Sequence, residues 1–126
     1  MAQTPWTLFQ RYWLPVVIYL GVIFTISAQP NLQPPLAGRF LDKLYHALEY
    51  AGLGVLLARA LRGGRGPMSV GIAARAVAVG ILVGIADEIF QSYVPGRISS
   101  PYDALADTAG VLLAQWGYGL ALRGRG

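Results

Sequence analysis

Hydrophobic positions along this chain fall into four long runs, separated by clusters of proline, glycine and charge. The first apolar run is Tyr12 to Ser27, and Trp6, Tyr12 and Trp13 at its start are aromatics of the kind that settle at a membrane–water interface. Pro30, Asn31, Pro34 and Pro35 break it. A second helix is predicted from about Phe40 to Leu61, ending at the turn Gly63-Gly64-Arg65-Gly66-Pro67. A third runs from about Met68 to Val94, free of charge between Ala76 and Ala86, and Pro95-Gly96 closes it. Ser100-Pro101 forms an N-cap and first-turn pair, and the fourth helix continues to about Leu122. These ranges, about 12–27, 40–61, 68–94 and 101–122, approach the roughly 17–25 residues that cross a bilayer. The pattern predicts an all-α integral membrane bundle of four transmembrane helices in one domain, residues 1–126.

Composition supports lipid as the solvent. The 126 residues are 55% hydrophobic and only 13% charged, and the mean hydropathy is +0.48. The formal net charge is +4, yet no stripe of Lys and Arg interleaves with aromatics, which argues against nucleic acid. The chain has no cysteine, so thiolate metal sites and a cysteine nucleophile are excluded. Ser99 and Ser100 lie near Arg97 without the nucleophile elbow of a hydrolase.

Charge placement sets an expected orientation. Seven of the ten basic residues, Arg11, Arg59, Arg62, Arg65, Arg75, Arg123 and Arg125, belong to one side of such a bundle. Arg39, Lys43 and Arg97 belong to the other. The positive-inside bias then places both termini in the cytoplasm and the ends carrying the acids outside. Arg11, the apolar run and Thr25-Ile26-Ser27-Ala28 also fit a cleavable signal peptide; its removal would leave three spans with the same orientation.

All six acidic residues gather at that outer end. Asp42, His46 and Glu49 lie at i, i+4 and i+7, with Leu53 continuing the stripe and Tyr50 beside it. Gly80, Gly84, Asp87 and Gln91 share a face of the third helix, with Glu88 one position round. Asp103, Asp107, Gly110, Ala114 and Gly117 form a third stripe. Small residues let membrane helices approach closely, so the stripes are expected to face one another, tight at one end and opening into a polar pocket at the other. Gly52 and Gly54 sit beside the second helix's stripe rather than on it.

Simpler roles compete with this one. Asp42 and Asp103 suit the helix N-termini on which they stand, Tyr93 and Tyr102 suit interfacial anchors, and Asp87, Glu88 and Asp107 suit an ion-pair network with Arg97 and His46. A functional reading makes His46, Glu88 and Asp87 candidate catalytic groups, with His46 oriented by Asp42 or Glu49. Asp42, Lys43, Glu49, Tyr50, Gln91, Arg97, Asp103 and Asp107 are the candidate ligand contacts, and the planar fork of Arg97 suits phosphate or carboxylate. Asp42, His46 and Glu49 also have a donor set for a divalent cation such as Mg, Mn, Ca or zinc.

These residues resemble the VanZ-like family, small membrane proteins named for a teicoplanin-resistance accessory. The similarity lies in Asp42-Lys43-x-x-His46-x-x-x-Tyr50 with Gly52-x-Gly54, then Asp87-Glu88-x-x-Gln91-x-x-x-Pro95-Gly96-Arg97, then Asp103-x-x-x-Asp107-x-x-Gly110. It covers about residues 40–120 in the family's order. Asp107 stands where many relatives have Asn, which adds a negative charge and removes an amide donor. The resemblance implies a membrane protein of the bacterial cell membrane linked to the cell envelope and glycopeptide antibiotics, without implying a reaction. The expected partners are membrane lipid and an envelope lipid or glycopeptide-related anionic ligand held in the outward pocket. The competing expectations are a membrane-embedded enzyme using His46 and Glu88 on a phosphate- or acyl-containing lipid, and an ion- or proton-coupled transporter.

Overall fold

Thr4 opens the first helix by accepting the Thr7 N–H on its hydroxyl at 3.1 Å, with Pro5 at the first helical position, where its missing N–H costs nothing. The computed structural model describes residues 3–29, 36–97 and 100–124. It holds four helices: α1 Pro5–Ser27, α2 Leu36–Arg62, α3 Val70–Ser92 and α4 Pro101–Arg123. No strand occurs among the described residues. The expected breakers Pro30, Asn31, Pro34 and Pro35, the side chain of Arg39, and Ser99 and Arg125 lie outside the described residues.

The boundaries differ from expectation where a local signal outweighs hydropathy. α1 starts seven residues before Tyr12 because the Thr4-Pro5 cap extends it through a polar turn. It is not uniform. Phe9–Trp13 is wound as a π-helix, one residue short of Pro15, which cannot donate to the Arg11 carbonyl four residues back. α2 begins at Leu36, four residues earlier than Phe40. α3 is trimmed to Val70–Ser92, capped by the Ser69 hydroxyl, which accepts the Ile72 N–H at 3.1 Å. α4 starts at Pro101 as expected, under a Ser100 hydroxyl that accepts the Tyr102 N–H at 3.2 Å. Gly63, Gly64 and Gly66 all have positive φ, so the glycines after α2 make a turn that other residues rarely adopt.

The helices run alternately up and down: the end of α1 meets the end of α3 through Ser27 and Gln91, Asp87 toward the end of α3 meets Tyr50 of α2, and His46 of α2 meets Asp107 near the start of α4. The most extensive interface joins α2 to α4. Small residues make it. A Cβ at Gly110 would overlap the Ala47 backbone carbonyl, and one at Gly54 would come within 2.8 Å of Ala114 Cβ. Across α3, a Cβ at Gly80 would lie 2.7 Å from Val111 Cγ2. Gly52 instead packs against the ring of Tyr19, so the two glycines flanking the α2 stripe serve two different neighbours, α1 and α4. Gly117 departs from expectation. Nothing lies within 4 Å of a Cβ there, so the α4 contact stripe ends at Ala114.

The outer surface is apolar, while the interior holds a polar cluster beside an apolar core of Val16, Ile23, Leu53, Leu57 and Val111, an arrangement unlike that of an ordinary soluble domain. Leu48 and Trp116 are 64% and 69% exposed. Leu41 and Leu44 on α2, Leu82 and Ile89 on α3, and Leu105 and Leu113 on α4 are exposed with them. His46, Asp87, Gln91, Asp103 and Asp107 are buried. By length and composition, α1 and α3 could each cross a membrane.

Overpacking tests these contacts. Gly110→Leu should lower detergent-phase stability by about 1–3 kcal/mol or prevent folding, because a backbone carbonyl cannot yield as a side chain can. Gly117→Leu should leave the melting temperature near the parent's. Equal effects at the two positions would show that α2 and α4 do not meet as described.

Candidate functional site

Asp42, Lys43 and His46 stand near the start of α2, and Asp103 and Asp107 on the first turns of α4. The glycine contact below them brings the two sets together. His46 Nδ1 lies 3.0 Å from Asp107 Oδ1, both side chains being buried. With Asp107 ionised, its carboxylate only accepts, and Nδ1 is then the donor in this bond. The other ring nitrogen, Nε2, is 3.9 Å from a carboxylate oxygen of Asp42 and of Asp103. Lys43 Nζ donates to Asp103 Oδ1 and lies 3.5 Å from Asp42 Oδ2. Three carboxylates thus surround one imidazole and one ammonium.

A second group adjoins the first. The Tyr50 hydroxyl donates to Asp87 Oδ2 at 2.8 Å. Gln91 Nε2 donates to Asp87 Oδ1 at 3.2 Å and to Ser27 Oγ at 3.2 Å. Both oxygens of Asp87, a residue 1% exposed, are therefore satisfied by neutral donors. The groups meet at Gly84, where a Cβ would lie 3.5 Å from Asp107 and 3.8 Å from the Tyr50 ring. A Cβ there would make ordinary contact with both, and a side chain longer than alanine's would press on them.

The remaining sequence candidates lie around this core. Glu49 is half-buried in the field of His46, Asp87, Asp107 and Arg97, and the Tyr19 hydroxyl donates to its backbone carbonyl. Glu88 is half-buried near Asp103 and Asp87; no hydrogen bond or ion pair joins it to His46. Arg97 donates from Nη1 to the Gln29 carbonyl at 3.3 Å, and its buried Nε has no partner among the described residues. The hydrogen-bond partner of His46 is Asp107, from another helix; Asp42 on its own helix adds an ion-pair contact at Nε2. Local spacing favoured the neighbours one turn away on either side; packing against α4 supplied the closer partner.

The cation-binding set also differs from the one expected. Asp42, His46 and Asp103 offer ligand atoms within 4.8 Å of one another, so Asp103 takes the place given to Glu49. Lys43 already bridges two of those carboxylates. The chain thereby supplies a positive charge where a metal would sit, and a divalent ion would have to displace it.

Several polar residues belong to the site without having stood out in the sequence. Tyr19 and Ser27 extend a buried stripe of α1 through Val16 and Ile23, at i, i+3, i+7 and i+11 from Val16. That periodicity was the available signal, obscured because Thr25-Ile26-Ser27-Ala28 also reads as a processing site. Gln115 donates from Nε2 to the Gly54 and Val111 carbonyls, each at 3.1 Å; its position one residue beyond Ala114 placed it next to the contact stripe.

An all-helical bundle with membrane-compatible helices and a buried acid–histidine cluster is the class of protein defined here. The VanZ/LLP1 family model matches residues 3–122, nearly the whole chain, and the chain belongs to that family. Comparisons with curated proteins and with solved structures give no significant match.

A double-mutant cycle checks the pairing. His46→Ala and Asp107→Ala should be coupled by about 0.5–3 kcal/mol in thermal or denaturant stability, the range for residues in one network. The His46→Ala and Glu88→Ala cycle should show coupling near zero. The reverse order would place the partner of His46 on α3.

Proposed function

We propose that this VanZ-like chain is a four-span membrane protein whose polar cluster faces the outside of the cell and binds an anionic envelope ligand, a lipid or a glycopeptide-related molecule. Support for four spans comes from the inverted surface. α2 and α4 are too charged to stand out by hydropathy, yet their charged residues near the site turn inward while Leu48, Leu105, Leu113 and Trp116 turn outward. Helices of this kind are stable beside lipid because burial pairs their charges and small residues bring their backbones together.

The single observation that carries ligand binding is Arg97. Its buried Nε has no partner among the described residues, whereas Lys43 is committed to Asp103 and Asp42. The side chain is partly exposed, and among the described residues its guanidinium bonds the Gln29 carbonyl alone, so it keeps donors that a phosphate or carboxylate of a ligand would pair. The glycine contacts below the cluster close the middle of the bundle, which favours binding over passage of an ion.

A second reading rests on the His46–Asp107 pair. A carboxylate that fixes one imidazole nitrogen leaves the other available for proton transfer, the arrangement used in general acid–base catalysis. In that reading His46 acts on a phosphate- or acyl-containing lipid. Asp107 positions it, and Glu88 stands apart.

Orientation can be read directly, since the chain has no cysteine of its own. Cysteine in place of Pro95 should react with an impermeant thiol reagent in intact cells, and cysteine in place of Arg65 should react only after the membrane is opened. The opposite pattern would turn the cluster to the cytoplasm.

Ligand binding is tested by mass spectrometry of what copurifies with the protein in mild detergent. An anionic species should accompany the parent and Arg75→Ala and be lost from Arg97→Ala at unchanged melting temperature. Its chemical conversion on incubation, abolished by His46→Ala, would establish the catalytic reading. An identical complement of bound molecules in the parent and Arg97→Ala would overturn ligand binding at this site.

A further inference from the structure

The opposite end of the bundle carries a second constellation, made by Pro15. Because Pro15 has no N–H, the Arg11 carbonyl loses its α-helical donor, and Arg59 on α2 donates to it from Nη1 at 2.8 Å. The Arg59 guanidinium lies 5.0 Å from the Tyr12 ring centroid and that of Arg11 lies 5.5 Å from it, both within the reach of cation–π attraction. Two cations from different helices are thus gathered on one aromatic ring. They line a cavity of about 470 Å³ together with Arg62, Tyr12 and Tyr118. Arg62 and Leu122 also line a second cavity of about 630 Å³, at whose rim Arg123 stands.

No carboxylate lines either cavity, and among the described residues every ion pair lies at the other end of the molecule. A charge bias for topology asks only that basic residues be near this end. It does not require that four arginines from α1, α2 and α4 share adjoining cavities. Each guanidinium has five N–H donors in a fork that matches phosphate oxygens. Arg59 spends one on the Arg11 carbonyl, and Arg62 spends one on the Gly66 carbonyl. Most of the donors remain for an external anion.

We propose that this arginine cleft, formed by Arg11, Arg59, Arg62 and Arg123, binds the phosphate of an anionic phospholipid headgroup. The cavities fall within the usual range for small ligands, about 300–1,000 Å³. Leu122 at the shared wall and the exposed apolar faces of the helices continue from the cleft toward the acyl region. The site uses none of the residues of the acid–histidine cluster and holds whichever way the protein faces.

Native mass spectrometry of the full-length protein in detergent, titrated separately with phosphatidylglycerol and phosphatidylcholine, tests this. Phosphatidylglycerol should bind preferentially, and Arg62→Gln should weaken it about fivefold, the loss expected for one arginine at an anionic surface. Arg75→Ala, exposed and lining neither cavity, should bind like the parent. If Arg59→Ala fails to fold, Arg59→Lys, which keeps charge but loses the planar fork, serves in its place and should also weaken binding. Equal affinity for the two lipids, or equal losses in Arg62→Gln and Arg75→Ala, would overturn the proposal. Inorganic phosphate is the remaining arm. If it raises the melting temperature through Arg62 while the protein shows no preference for phosphatidylglycerol, the cleft takes soluble phosphate and the lipid assignment fails.

Discussion

Burial of carboxylates inside a bundle clad in leucine is the constraint on which the rest of this structure depends. An uncompensated buried ion costs several kcal/mol, so each acid at the closed interfaces must find a partner, and the helices must come close enough to supply it. His46 meets Asp107, Lys43 meets Asp103, and Tyr50 and Gln91 share Asp87. These pairings draw on α2, α3 and α4, with Ser27 adding α1. The small residues serve the same end: Gly110 lets α4 touch the backbone of α2, and Gly80 makes room for the Val111 side chain between α3 and α4. Polar specificity and close packing are therefore one device here.

The two ends solve opposite electrostatic problems. At one, three carboxylates are paired within the chain with an ammonium and a histidine, and a fourth with neutral donors. At the other, arginines gather around Tyr12 with only carbonyls and an aromatic face as partners. Pro15 links sequence to that arrangement, since its missing donor leaves the Arg11 carbonyl for Arg59. An end whose acids are paired internally holds its side chains in fixed positions, which suits recognition or proton transfer. An end left cationic recruits its anion from the surroundings.

Much of this was legible in the sequence because helix periodicity is short-ranged. Ser100-Pro101 marked the start of α4, the turn glycines marked the end of α2, and the stripe Gly80, Gly84, Asp87, Gln91 marked the buried face of α3. The start of α1 was missed because Thr4 and Pro5 act through capping geometry, which hydropathy does not register. Gly117 was placed on the α4 contact stripe by spacing alone; α4 has no neighbour there. The partner of His46 depends on how α2 and α4 are rotated against each other, so nothing local could choose Asp107 over Asp42 or Glu49. The role of Tyr19 and Ser27 was hidden for the same reason, since it exists only once α1 packs against α2 and α3.

Lipid exposure of α2 and α4 tests the proposed four-span arrangement most directly, because among the described residues only α1 and α3 stand out by length and composition as able to cross a membrane. Spin labels at Leu48 and Leu113 in the protein reconstituted into bilayers would be compared by power saturation with oxygen, which partitions into lipid, and with a water-soluble nickel chelate. Leucines that face the acyl chains around a polar interior should give high oxygen and low nickel accessibility at both positions. High nickel accessibility at both would put α2 and α4 in water, and the inside-out bundle would be contradicted.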